Sequence, residues 1–122
     1  MNIGLIVFAY NRDWHLQKVL NGIRKNKEIK EIYIFQDGLK LEEHREEWER
    51  TRKVIEEITW CNVKYELAKE NKGLAKSIVE GINKVFETKD CVIVLEDDCV
   101  PTANFYNFMQ QCFEKYKNEK QI

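Results

Sequence analysis

Val92-Ile93-Val94-Leu95 runs directly into Glu96-Asp97-Asp98. Four apolar residues, three of them β-branched, have the composition of a buried strand. Nothing about a strand interior explains three consecutive carboxylates. At the C-terminal end of a parallel strand they would lie on the rim where open α/β sheets bind ligands. Adjacent carboxylates repel one another unless a cation neutralises them. Hard oxygen donors of this kind suit Mg²⁺ or Mn²⁺, and such ions usually arrive with substrate phosphates. The plainer reading is a polar loop that caps the helix following Pro101.

Three further apolar runs end in residues able to bind a ligand: Asn11-Arg12, Asp37-Gly38 and Asn71-Lys72-Gly73. Together with the acidic trio they offer isolated cations beside a carboxylate cluster. That combination suits a nucleoside diphosphate: metal for the phosphates, acids for the metal and the hydroxyls, and an Asp for a base edge. Each residue also has a plainer role. Asp37-Gly38 is a common turn signal. Arg12 could pair with Asp13, Lys72 could be a solvated loop lysine, and Gly73 could serve only as a hinge with positive φ. Trp14, Trp48 and Trp60 read as packing residues, and the two histidines, His15 and His44, as solvated.

These residues need elements to hold them. Ile3 to Tyr10 is a near-continuous apolar run, as expected of a strand covered on both faces. Asn11-Arg12-Asp13 ends it, with Asp13 as the expected N-cap of a helix carrying Trp14, Leu16, Val19, Leu20 and Ile23. A second strand is expected over about 31–35, a helix with a dense outer charge over about 42–58, and a third strand over about 63–67. Leu74 to Phe86 repeats at helical spacing. Val92 to Leu95 forms the fourth strand, and Phe105, Phe108, Met109, Cys112, Phe113 and Tyr116 mark a last helix. Strand and helix alternate four times. This predicts an α/β, Rossmann-like parallel sheet with helices on both faces and strand order 3-2-1-4. The strand C-termini then share one edge, with the switch point between the first and fourth strands.

Composition narrows the class. The chain has 122 residues, room for one domain, with 43% hydrophobic and 34% charged residues. A formal charge of -1 gives no bulk attraction to nucleic acid or an anionic membrane. No apolar run reaches transmembrane length. Four cysteines show no CxxC pair, so structural zinc is disfavoured and reduced thiols in the cytoplasm are the simplest account.

The segments IGLIVFAYNR, IFQDG, ENKGLAKSIVEGI and VIVLEDDCVP, in this order, resemble the N-terminal half of a GT-A fold glycosyltransferase. The likeness is to family 2 enzymes and to N-acetylglucosaminyltransferases with a Glu-Asp-Asp form of the DxD motif. It implies a domain over 1–122 that binds a nucleotide-diphospho-sugar, expected to be a UDP-sugar, with Mn²⁺ (or Mg²⁺) as cofactor. By the same resemblance Arg12 holds the nucleotide, Asp37 reads the uracil N3–H, and Asp98 ligates the metal. Glu96 and Asp97 contact the ribose or metal-bound water. Ala9, Asn71, Lys72 and Gly73 complete the nucleotide-sugar-binding set, and Ser77 helps shape its floor.

Resembling enzymes continue after the metal motif with an acceptor-binding half that supplies the general base. That base is expected beyond residue 122, so the sugar or glycan acceptor stays unspecified and this segment alone is expected to be inactive. Self-association is expected through apolar surface around Phe105, Phe108 and Phe113. A non-catalytic nucleotide-binding module is the competing reading. A receiver-like signalling domain fits less well, because it places an acidic pair where this chain has Asn11-Arg12.

Overall fold

The computed structural model describes residues 2–117. Four parallel strands form one sheet: β1 (Ile3–Ala9), β2 (Glu31–Gln36), β3 (Asn62–Leu67) and β4 (Cys91–Glu96). Their order is β3-β2-β1-β4, as the alternation of elements implies. β1 is central and buried on both faces from Gly4 to Ala9, which accounts for its unbroken apolar run. β3 is an edge strand and largely exposed. Lys64 and Glu66 on it blunt an edge that could otherwise pair with another chain.

The helices are α1 (Asp13–Arg24), α2 (Arg45–Glu56), α3 (Leu74–Phe86) and α4 (Phe105–Tyr116). The sheet's two faces are covered unequally. Leu5, Val7 and Ala9 of β1 join Ile32, Ile34, Ile93 and Leu95 in a large cluster with Leu16, Val19, Leu20 and Ile23 of α1 and Ile55 of α2. Phe105, Met109 and Phe113 of α4 pack on the same cluster. The opposite face holds a small one, with Ile6, Phe8 and Val85 at its centre and Ile78 and Ile82 of α3 against it. At roughly 1.5–3 kcal/mol per fully buried aliphatic side chain, most hydrophobic stabilisation lies on the first face.

Two expectations change at helix starts. Asp13 is not the N-cap of α1; Arg12 takes that position and makes no side-chain cap bond. Asp13 lies in the first turn instead, 3.3 Å from Arg50 of α2. The charged segment expected as one helix over 42–58 opens with a 3₁₀ turn, Glu42–His44, and α2 follows it.

The helix that follows the acidic trio, α4, is capped from elsewhere in the chain. Neither α3 nor α4 has a capping side chain of its own. For α4 the partner is Asn26, 2% exposed at the end of α1, whose Oδ1 accepts the Tyr106 N–H at 2.9 Å. Its Nδ2 donates to the carbonyls of Gly22 at 3.0 Å and Thr102 at 2.8 Å. One buried amide therefore fixes the chain just after the acidic residues.

Candidate functional site

Parallel registration brings the strand ends together. Ala9 pairs with Gln36, Gln36 with Leu67, and Phe8 with Glu96. The loops leaving them surround a cavity of about 400 Å³. Ala9, Arg12, Asp37, Asn71, Gly73, Ser77, Glu96, Asp97 and Asp98 all line it, so the structure gathers nine of the ten residues singled out in the sequence for this pocket. The exception is Lys72. It lines an adjoining cavity of about 300 Å³, and its ammonium pairs with Glu80 at 2.9 Å.

The β1 and β4 loops face each other across the switch point. Arg12 Nη1 lies 3.8 Å from Asp97 Oδ1. Burial pushes the Asp97 carboxyl above the usual carboxylate range, and the neighbouring charges of Asp98 and Glu96 add to this. Arg12 and His15 oppose the shift without cancelling it. A half-buried acid beside two more acids favours any cation that arrives.

The opposite wall is built on Asp37. Its Oδ1 accepts the backbone N–H groups of Gly38 and Lys72, both at 2.8 Å. Its Oδ2 accepts the Gly73 N–H at 3.0 Å and the Asn71 side-chain amide at 3.1 Å. Asn71 also donates to the Gly38 carbonyl at 2.8 Å. Gly38 is no left-handed turn, since Gly73 at φ +86° is the one glycine with positive φ among the described residues. Gly38 is needed for space: a Cβ there would lie 2.3 Å from the Glu70 carbonyl carbon.

Behind this wall lies a polar lattice that the sequence did not disclose. Gln36, 1% exposed, donates to the Tyr10 carbonyl at 2.9 Å and the Trp48 carbonyl at 3.0 Å. Its Oε1 accepts from Arg52 Nε at 2.9 Å, and the Arg52 guanidinium stacks 4.2 Å from the Trp48 ring centre. Trp48 Nε1 donates to the Asp37 carbonyl at 2.9 Å. Tyr10 lines the cavity, and its hydroxyl accepts the Lys40 N–H at 2.8 Å and bonds His44 Nδ1 at 2.9 Å. His44 is thus a partner in the wall, where a solvated role was expected. Trp48 packs as expected, but Trp14 does not: it is 66% exposed, with the Lys18 ammonium 3.8 Å over its ring. Tyr10, Lys40 and Leu74 also line the cavity. Of these, Tyr10 had a signal in its place beside Asn11-Arg12.

Among the described residues, no three His, Cys, Asp or Glu side chains converge as a ready metal cage. A hard divalent ion bound with substrate phosphates needs only one or two carboxylates and keeps several waters. Asp97 and Asp98 on one cavity wall fit that requirement.

The sequence profile described as glycosyl transferase family 2 matches residues 5–119. No curated protein matches the chain significantly. Among solved structures, the fold is similar to a mannosyltransferase from Pyrobaculum calidifontis, PcManGT, in complex with GDP-Man and Mn²⁺. The TM-score is 0.63 at 15% sequence identity, covering 84% of this chain and 29% of that one. The chain therefore spans less than a third of that enzyme's length. The Rossmann-like sheet is that of a GT-A glycosyltransferase, and with its profile matched over nearly the whole sequence, the chain belongs to glycosyl transferase family 2.

Proposed function

We propose that this chain is the donor-binding part of a metal-dependent glycosyltransferase that takes a nucleotide-diphospho-sugar. The observation that carries the proposal is the meeting of Arg12, Asp97 and Asp98 around one cavity at the β1–β4 switch point. Arg12 would hold a phosphate or the nucleotide, Asp98 would ligate Mn²⁺ or Mg²⁺, and Glu96 and Asp97 would meet the ribose or metal-bound water. A divalent cation bound there would neutralise charge developing on the diphosphate leaving group. Arg12 stands on the other side of the same space, so cation and acids together accommodate an anion and its metal.

The donor read from the sequence resemblance is a UDP-sugar. PcManGT was solved with GDP-Man, so a guanosine donor is the competing reading. The acceptor is a sugar or glycan, and its general base is proposed to lie outside this chain. Location in the cytoplasm is part of the same proposal. It rests on the four cysteines, which show no CxxC pair; no described helix is long and apolar enough to cross a membrane. Self-association through the outer side of α4, where Phe108 is 63% exposed, is also proposed.

Isothermal titration of UDP, GDP and CDP with and without Mn²⁺ tests the reading. Metal-dependent binding, tightest for UDP and lost in Asp98→Ala with the fold intact, is the expected result. Metal-independent binding, or full affinity in Asp98→Ala, would remove the assigned role of the acidic trio.

A further inference from the structure

We propose that Gly22 and Asn26 form a socket at the C-terminal end of α1 that positions the acidic loop for its cation, so that Asn26 sets divalent-metal affinity from outside the cavity. The inference rests on the reading of Asp97 and Asp98 as the metal-binding wall. Neither Gly22 nor Asn26 lines the cavity. Arg12, the N-cap of α1, does line it, and its guanidinium faces Asp97. Gly22 lies roughly 15 Å further along the same helix, at a rise of about 1.5 Å per residue. One helix thus presents the cationic side of the site at its start and grips the chain leaving the acids at its end.

The grip has two parts. Gly22 lets the Pro101 backbone touch α1: a Cβ there would lie 2.6 Å from the Pro101 carbonyl oxygen and 2.9 Å from its Cδ. Buried Asn26 then ties the residues that follow, donating to the Thr102 carbonyl at 2.8 Å and accepting the Tyr106 N–H at 2.9 Å. Between socket and acids the chain has little freedom. The Cys99 N–H closes a turn on the Glu96 carbonyl at 3.1 Å. Pro101 has a fixed φ and holds Val100 to extended conformations. Asp98 is only three residues from Pro101, so its Cα stays within about 11 Å of the socket. The acids are therefore held opposite Arg12 before a cation arrives, and binding is spared the cost of ordering them.

Three variants test the socket, first in metal-free protein. Asn26→Ala removes the ties. Gly22→Ala keeps Asn26 and favours the helix itself, but drives a methyl group into the Pro101 backbone. It decides the matter if Asn26→Ala does not fold. Ile55→Ala, which truncates a buried side chain on α2, is the control for lowered stability alone. The backbone amide NMR signals of Asp97, Asp98 and Cys99 should shift or broaden in both socket variants and stay in place in the control. Titration with Mn²⁺ alone, followed by the EPR signal of the free ion, should show affinity falling about ten-fold or more in the socket variants and staying within about two-fold in the control. Unchanged signals at residues 97–99 in both socket variants, or unchanged Mn²⁺ affinity, would overturn the proposal. An equal loss of affinity in Ile55→Ala would also overturn it, by making Asn26 a stabilising residue only. If Mn²⁺ does not bind even the unsubstituted chain, the metal reading fails and the claim on affinity with it, while the amide signals still decide whether the socket positions the loop.

Discussion

Replacing Gln36 with Met should unfasten the site and destabilise the protein together. Met is unbranched and close to Gln in size, so the perturbation removes polarity more than volume. Three hydrogen bonds are lost: two from Nε2 to the Tyr10 and Trp48 carbonyls, and one from Arg52 to Oε1. A net hydrogen bond is worth about 0.5–1.5 kcal/mol, and one to a charged group about 1.5–3. The sum is reduced in two ways. The Trp48 carbonyl lies inside α2 and keeps its helical partner. Arg52 is only half-buried and regains water. A loss of roughly 2–4 kcal/mol remains. For a domain between the size classes usually tabulated, at about 4 °C per kcal/mol, the melting temperature should fall by roughly 8–16 °C. Differential scanning calorimetry of the metal-free protein measures it. Nucleotide affinity should weaken as well, because Tyr10 and Asp37 are the cavity residues that Gln36 and Trp48 tie together. A melting temperature within about 1 °C of the unsubstituted protein would refute the lattice as a structural support.

Asn26→Ala removes the remote cap of α4 and two further buried bonds, so urea unfolding should show a loss of roughly 2–4 kcal/mol. Asn26→Asp should recover only part of it, because the carboxylate still accepts from Tyr106 but faces the Gly22 and Thr102 carbonyls without a proton to give. The pH dependence of stability should carry a contribution from Glu31. Burial alone would raise its pKa, but the hydrogen bond and charge of Lys89, with the charge of Lys64, outweigh it and hold the carboxyl below the usual value of 4.5. The folded state thus binds this proton more weakly than the unfolded chain. The stabilisation is present above pH 4.5 and is lost as pH falls through the folded value. Glu31→Gln should therefore be less stable than the parent at neutral pH and converge with it in acid; a constant gap across an acid titration of thermal stability would contradict the pairing. Trp14→Ala should leave the melting temperature within about 2 °C, since a mostly exposed ring has little burial to lose.

The fold was readable because its signals repeat and are local. Each apolar run became a strand within a residue or so of its expected bounds, and each 3.6-period stretch became a helix. Strand order followed from winding outward from the first strand and then crossing to its other side, as in Rossmann-like sheets. The division of helices between the faces could not be read in the same way. Trp14 sits at a position compatible with the buried stripe of α1, yet the stripe closes on Leu16, Val19, Leu20 and Ile23 and leaves the indole outside. Periodicity gives the direction of a face. How much of it the neighbours cover depends on distant elements.

The site divides along the same line. Residues whose chemistry is visible one at a time, such as Arg12, Asp97 and Asp98, were singled out from the sequence, and the structure brings them to one cavity. Residues whose role lies in what they join were missed. Gln36 did leave a trace: it falls two residues after Ile34 and four after Ile32, on the buried face of β2, where an amide must find partners or cost stability. Its partners come from β1 and α2, and no spacing in the sequence reveals them. Asp37 was read as a ligand contact, and it lines the cavity; that it also accepts backbone N–H groups from a loop more than thirty residues away was not legible in the sequence. Gly73, the N-cap of α3, has no side chain to hold the turn that enters the helix, and the Lys72 and Gly73 N–H groups of that turn find their acceptor on Asp37. In a parallel sheet, the strand end next to such a helix is the nearest source of an acceptor. An acid there can hold the loop beside it and still line the cavity, as Asp37 does, because its several acceptor sites point in different directions.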